Sequence, residues 1–281
     1  MSKSDIYFID THCHIQELVE PLTPTHEKWL ADKQERTVEG VIATAAAAGV
    51  TRLLTIGTTT ADSALAIRVA NAYPGVFASI GIHPHEAQHH VSNASKKQFQ
   101  ALAMSSQKIV AVGECGLDYY YGLSPKTDQE TVLRYQIETA LTHNLPISFH
   151  VRDAFDDFWS IFDSYTGIKG VLHSFTDTEH NMQKALERGL YVGVNGIATF
   201  TKDEAQRVIF RTIPLNRLLL ETDAPYLTPA PFRGKICEPV HVRTVAEYIS
   251  GLRRESIEKI AQTTTANAEK LFALTSSTLK S

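Results

Sequence analysis

The chain has 281 residues, 43% of them hydrophobic and 21% charged, with a formal net charge of −4. Those values suit a soluble globular protein of one large or two modest domains. They exclude a large basic field that would draw polyanions in from a distance, so any nucleic-acid contact has to be local. Three cysteines without CxxC spacing argue against a disulfide framework, no apolar run reaches bilayer length, and MSKSDIYFID carries no signal-peptide core, so a cytoplasmic location away from membranes is expected.

Short apolar runs alternate with helical segments along the chain. IYFID (6–10) is the first expected strand, and residues 17–37, with Pro21 and Pro24, read as a long loop over the mouth of the fold. A helix over 37–48, stopped by Gly49, leads to RLLTIG (52–57), and one over 61–72 leads to VFASIGI (76–82) and IVAVGE (109–114). A helix over 128–143 precedes PISFH (146–150), and the acidic run DAFDDF (153–158) begins another before GVLHSF (170–175). The segment 181–188, stopped by Gly189, is followed by LYVGVNG (190–196) and RLLLETD (217–223). Helices over 239–251 and 255–274 finish the fold, and the tail TSSTLKS (275–281) reads as frayed.

Most of these strands are continuous β-branched or leucine-rich runs, as expected of parallel strands covered on both faces. About eight β-then-α units in a chain of this length predict an α/β fold, a (β/α)₈ TIM barrel with extra C-terminal helices, in one domain with its core over about 6–274. A doubly wound sheet would be supported by a GxGxxG or Walker sequence, and neither is present.

In FIDTHC and the residue after it, side chains alternate faces, so His12 and His14 point one way and Cys13 the other, as a buried inert thiol. In such barrels the reacting groups sit at the C-terminal strand ends. There the sequence places His12 and His14, His83, Glu114, His150, His173, Asn195, Glu221 and Asp223. A set of imidazoles and carboxylates converging on one mouth has the composition of a divalent-metal site.

DTHCH (10–14), GIHPH (81–85), GECGLDYYY (113–121), FHVR (149–152), HSF (173–175), GVNG (193–196) and LETDAPYL (220–227) together resemble the TatD-type metal-dependent deoxyribonucleases, from about Ile6 to Leu274. The resemblance implies a metal-dependent hydrolase of the amidohydrolase-like barrels with two divalent ions (magnesium, manganese or zinc). His12 and His14 would hold one ion, His150 and His173 the other, Glu114 would bridge them, and Asp223 would bind metal and position or deprotonate the attacking water. Glu114, Asp223 and His83 are the implied catalytic residues. Two cations activate water and neutralise charge on a phosphodiester oxygen, and a carboxylate can bridge because it has two oxygens.

Several other positions keep more than one reading. His83 donates to a phosphate oxygen, orients the scissile group or is a capped loop histidine, while His85 serves the loop. Arg152 pairs with phosphate or orients a carboxylate. Tyr119, Tyr120 and Tyr121 stack nucleobases or pack among themselves. Glu221 holds a ligand imidazole. RGKICEP (233–239) departs from the family pattern at Ile236 and Cys237, as does Asp177 after HSF-Thr, which bears on substrate contacts. The expected activity is hydrolysis of DNA phosphodiester bonds at a single-stranded or frayed 3′ end, with no obligate protein partner. The competing reading is hydrolysis of a small ester, lactone, amide or aminoacyl ester at the same site.

Overall fold

Eight parallel strands pair in chain order, β1 to β8, with helices between them. The computed structural model describes residues 6–19 and 23–274; Pro21 and the 275–281 tail lie outside them. The strands are β1 Phe8–Cys13, β2 Val50–Ile56, β3 Val76–Ile80, β4 Ile109–Asp118, β5 Ile147–Arg152, β6 Gly170–Leu172, β7 Tyr191–Val194 and β8 Leu218–Leu220. The ring closes where β1 meets the segment after β8. Cys13 bridges Ala224, His14 N donates to Ala224 O at 2.8 Å and Asp223 N donates to His12 O at 2.8 Å. This is the (β/α)₈ barrel expected from the strand pattern.

Two apolar layers hold it. One lies between the strands and the outer helices and contains Phe8, Val50, Phe149, Phe158 and Phe210, all buried. The other takes Ile9, Leu54, Phe77, Val110, Val171, Tyr191 and Leu219 from strands all round the ring, so it fills the barrel interior. Leu271, Phe272 and Leu274, from the end of helix α11 (Ile257–Phe272) and just beyond it, join this second cluster and close the barrel below. Among the described residues no helix is long and apolar enough to cross a membrane.

The segment expected as a loop, 17–37, is partly helical. After β1 a 3₁₀ turn covers Ile15–Leu18 and helix α1 covers Pro24–Trp29. Thr23 caps α1 by accepting from His26 N at 3.0 Å, and Pro24 stands in the first turn, where its missing N–H costs nothing. Proline therefore opens this helix rather than breaking it. Trp29 is fully buried, and its indole N–H donates to His14 O at 3.1 Å, which ties α1 to the end of β1.

Further helices were not apparent in the apolar pattern. α4 (Asn93–Leu102) and α9 (Glu204–Thr212) are largely polar, short, and bury few side chains each. Helix α2 (Val38–Ala47), α3 (Thr60–Ala72), α5 (Lys126–His143), α6 (Phe155–Phe162), α7 (Glu179–Glu187) and α10 (Val242–Arg253) fall where the periodicity put them, and α8 (Ile197–Phe200) is a single turn after β7.

Candidate metal centre

The polar side chains singled out above reach one mouth by different routes. β1 carries His12 and runs into His14; β4 carries Glu114 and continues to Asp118; β5 carries His150 and Arg152. His173 follows β6, Asn195 follows β7, and Glu221 and Asp223 follow β8, while His83 stands in the loop after β3. The close run of β4 beside β5 needs Gly116, opposite His150. A Cβ there would lie 1.8 Å from the His150 carbonyl oxygen.

Glu114 is buried at the centre, and its two oxygens face different imidazoles. Oε2 lies 3.4 Å from His12 Nε2 and 3.9 Å from His14 Nε2. Oε1 lies 2.9 Å from His150 Nδ1, 3.1 Å from His173 Nε2 and 3.5 Å from His83 Nε2. Asp223 Oδ1 flanks the first group, 3.3 Å from His14 Nε2 and 3.7 Å from His12 Nε2. The rings of His12 and His173 stack with centroids 3.8 Å apart.

The partner of each imidazole's remote nitrogen indicates where the ring proton sits. His14 Nδ1 is 3.0 Å from the Ile56 carbonyl, which only accepts, so in the neutral ring Nε2 keeps its lone pair. His150 Nε2 is 3.0 Å from Asp118 Oδ2, which leaves the lone pair on Nδ1. His173 Nδ1 lies 3.3 Å from Glu221 Oε1, and Nε2 faces Glu114. His12 Nδ1 is 3.4 Å from Ser148 Oγ, and its buried Nε2 has no hydrogen-bond partner. Lone pairs packed this closely, with two carboxylates among them, are costly unless a cation lies between. The donor set fits that demand: His12, His14 and Asp223; His12, Glu114 and His173; and His83, Glu114 and His150 each bring ligand atoms within 4.8 Å of one another. All are nitrogen and carboxylate oxygen donors, suited to zinc, manganese or magnesium.

His83 differs from the rest. Its Nδ1 accepts from His85 N at 3.2 Å, so the ring proton belongs on Nε2. Burial takes its pKa down to about 4. It is thus a neutral hydrogen-bond donor aimed into the site. Burial alone would raise Glu114, but the neighbouring imidazoles, His173 and His83 foremost, hold its carboxyl well below the usual range. Burial would likewise lower His14, yet Asp223 lifts it to about 9, so without an ion His14 Nε2 holds a proton toward Asp223 that a bound cation would replace.

Behind the cluster, fully buried Asp10 accepts from Thr222 N at 2.9 Å and from Thr222 Oγ1 at 2.6 Å, joining β1 to the segment that carries Asp223. Asp10→Ala strands both donors, and a stability loss of about 1–3 kcal/mol is expected. Chemical denaturation monitored by circular dichroism measures it, and an unchanged midpoint would contradict this role.

The remaining predicted residues divide. Glu221 Oε1 accepts from Ser174 N at 2.6 Å and stands beside His173. Asn195 Nδ2 donates to Ser174 Oγ at 2.8 Å and to Glu221 Oε1 at 3.4 Å. Arg152 has no carboxylate within ion-pair distance among the described residues. Its guanidinium carbon lies 4.0 Å from the Tyr120 ring centroid and 4.9 Å from that of Tyr121. Tyr120 and Tyr121 are 59% and 54% exposed. Tyr119 turns away, its hydroxyl donating to Asp157 at 2.9 Å and its ring under Lys126. Tyr121, not Tyr119, is the tyrosine whose ring meets a mouth histidine, His85, at 5.3 Å. Ile236 and Cys237 are buried, with Cys237 N donating to Pro225 O at 3.2 Å, so that departure bears on packing. Asp177 precedes Thr178, the cap of α7, and accepts from Thr178 N at 2.7 Å and Asn181 Nδ2 at 2.6 Å. Cys13 is buried and directed at Leu54 O, and burial pushes its thiol well up.

Sequence reasoning missed Asp118 and Ser148. Asp118 had a legible signal, four residues along the strand from Glu114 and therefore nominally on the same face. Ser148 had none, because its proximity to His12 spans 136 residues.

A (β/α)₈ barrel with imidazoles and carboxylates gathered at the C-terminal strand ends is the arrangement of a metal-dependent hydrolase. The family described as TatD related DNase matches residues 9–273, and the chain belongs to it. The uncharacterized metal-dependent hydrolase YabD of Bacillus subtilis is 36% identical over 256 residues, covering 90% of this chain and 99% of that protein. The 3'-5' ssDNA/RNA exonuclease TatD of Citrobacter rodentium is 37% identical over 242 residues, covering 84% of this chain and 91% of that protein. The crystal structure of the TatD homologue YjjV from Escherichia coli superposes with a TM-score of 0.83 at 29% identity, over 95% of this chain and 98% of that one.

Proposed function

We propose that this chain removes nucleotides from the 3′ end of single-stranded or frayed DNA by hydrolysing phosphodiester bonds, with two divalent ions. The observation that carries the two-ion reading is the orientation of Glu114, whose Oε2 faces His12 and His14 while Oε1 faces His150 and His173. His12, His14 and Asp223 would hold one ion and His150 and His173 the other, with Glu114 shared. Bound there, the ions would supply charge neutralisation and activation of water. The choice of a 3′ end and a single strand is supported by the name of the Citrobacter relative.

The chain's own groups divide the remaining work. Asp223, partly open to the mouth, accepts a proton from the attacking water and fixes its direction. His83 donates its Nε2–H to a non-bridging phosphate oxygen, where negative charge grows during displacement. Arg152, stacked on tyrosines and unpaired with any carboxylate among the described residues, offers its guanidinium to the next phosphate. Tyr120 and Tyr121 present exposed rings on which a terminal base can stack. Glu221 and Asp10 hold ligand-bearing segments in place.

Digestion of end-labelled single-stranded DNA with Mg²⁺ or Mn²⁺ tests the reading. A ladder shortening from the 3′ end is expected, abolished by EDTA and by Asp223→Asn. No cleavage by folded, metal-loaded protein would overturn it and favour a small ester or aminoacyl ester, to be sought with a substrate panel.

A further inference from the structure

Asp118 occupies a position that the proposed reaction does not use directly. It is fully buried at the end of β4, and each of its oxygens is shared between two donors. Oδ1 accepts from Tyr120 N at 3.0 Å and from Tyr121 N at 3.1 Å. Oδ2 lies 3.0 Å from both His150 Nε2 and His85 Nε2. One carboxylate thus shapes the turn that presents the two tyrosines and at the same time meets the far side of a ring whose near side, Nδ1, faces Glu114 at 2.9 Å.

We propose that Asp118 is a positioning residue that fixes His150 as the Nε2–H tautomer and thereby keeps the Nδ1 lone pair directed at Glu114. This rests on the reading of His150 as a metal ligand. The argument is one of donor counting. Two of the four groups around Asp118, the backbone N–H of Tyr120 and of Tyr121, can only donate, and a carboxylate that accepts on both of its ends meets the two imidazoles best in their Nε2–H forms. In Asp118→Asn the backbone N–H groups of Tyr120 and Tyr121 cannot change role, so the amide oxygen turns to them and the NH₂ faces the imidazoles. His150 relieves the resulting donor–donor clash by moving its proton to Nδ1, where Glu114 Oε1 accepts it. The substitution keeps size and fold but withdraws one nitrogen from the site.

Two measurements test this. Long-range ¹H–¹⁵N spectra of metal-free protein are expected to show a proton on His150 Nε2 in the parent and none on Nε2 in Asp118→Asn. Calorimetric titration with Mn²⁺ or Zn²⁺ is expected to show one class of bound ion weakened about 10–100-fold in Asp118→Asn, with an unchanged melting temperature. His85→Ala, which removes the competing donor from the same oxygen, is expected to keep parental ion affinity. A parent spectrum with no proton on His150 Nε2 would overturn the proposal even if the variant failed to fold. So would parental affinity in Asp118→Asn, or an equal loss in His85→Ala, which would mark a general disturbance of the turn. A parent that bound neither ion would sink the metal reading instead, while the spectra still decided the tautomer.

Discussion

Glu114→Gln is expected to lower kcat/KM on single-stranded DNA by about 10²–10³-fold or more while leaving the fold intact. The side chain keeps its length, so the buried space it fills stays filled. What changes is charge and donor count. The carboxylate faces five imidazole nitrogens within 2.9–3.9 Å, so each of its oxygens could serve one ion site, whereas an amide offers a single oxygen. Its NH₂ end would replace an anionic oxygen beside either His12 and His14 or His83, His150 and His173. Either way half of the cluster loses its anion. The same loss removes one of the two carboxylate charges, Glu114 and Glu221, that raise His173 against its burial. Steady-state kinetics with melting curves and metal content of the purified protein measure these effects together. A Glu114→Gln protein with parental turnover would remove Glu114 from the chemistry.

Trp29→Ala is expected to cost about 3–5 kcal/mol, the range for emptying a buried large aromatic site, and to lower the melting temperature by on the order of 10 °C. Trp29 is fully buried although it stands in the segment that looked like a mouth loop, and its indole N–H is the link from α1 to His14 O. Removing it leaves a cavity and takes away one anchor of the segment, others being Thr25 Oγ1 with the Tyr226 hydroxyl at 3.1 Å and Arg36 Nε donating to Glu238 Oε1 at 2.8 Å. Because His14 is at the other end of that hydrogen bond, a smaller fall in activity should accompany the fall in stability. Trp29→Phe keeps most of the packing and loses the N–H, so it should lie between parent and alanine variant. A melting temperature within 2–3 °C of the parent for Trp29→Ala would mean that the segment does not dock as described.

Ile236 and Cys237, where the chain departs from the family pattern, are buried. They stand in a loop that follows β8 to the mouth, which suggests contact with substrate. Both turn inward instead, and the loop's exposed charges, Arg233 and Lys235, lie on either side of the turn at Gly234. Arg233 stacks on Phe200 at 3.8 Å and donates to Thr228 O at 2.8 Å, so it braces the loop.

What the sequence determined by itself was whatever depends on near neighbours. Period-two alternation put His12 and His14 on one face, continuous apolar runs marked parallel covered strands, and the repeated β-then-α order implied a barrel whose strand ends share a mouth. From those alone came the list of imidazoles and carboxylates. Tertiary structure decided which atom of each residue faces the others. His14 is set by a carbonyl 42 residues away and His150 by a carboxylate 32 residues before it, and no local pattern reports such partners. It also decided that His83 is a donor while its neighbours present lone pairs, that Tyr121 rather than Tyr119 meets the mouth histidines, and that the 17–37 segment is pinned by a tryptophan. Alternation along a strand is a property of the backbone and can be read from spacing, but a hydrogen-bond partner is a property of closure, fixed only when distant strands come together.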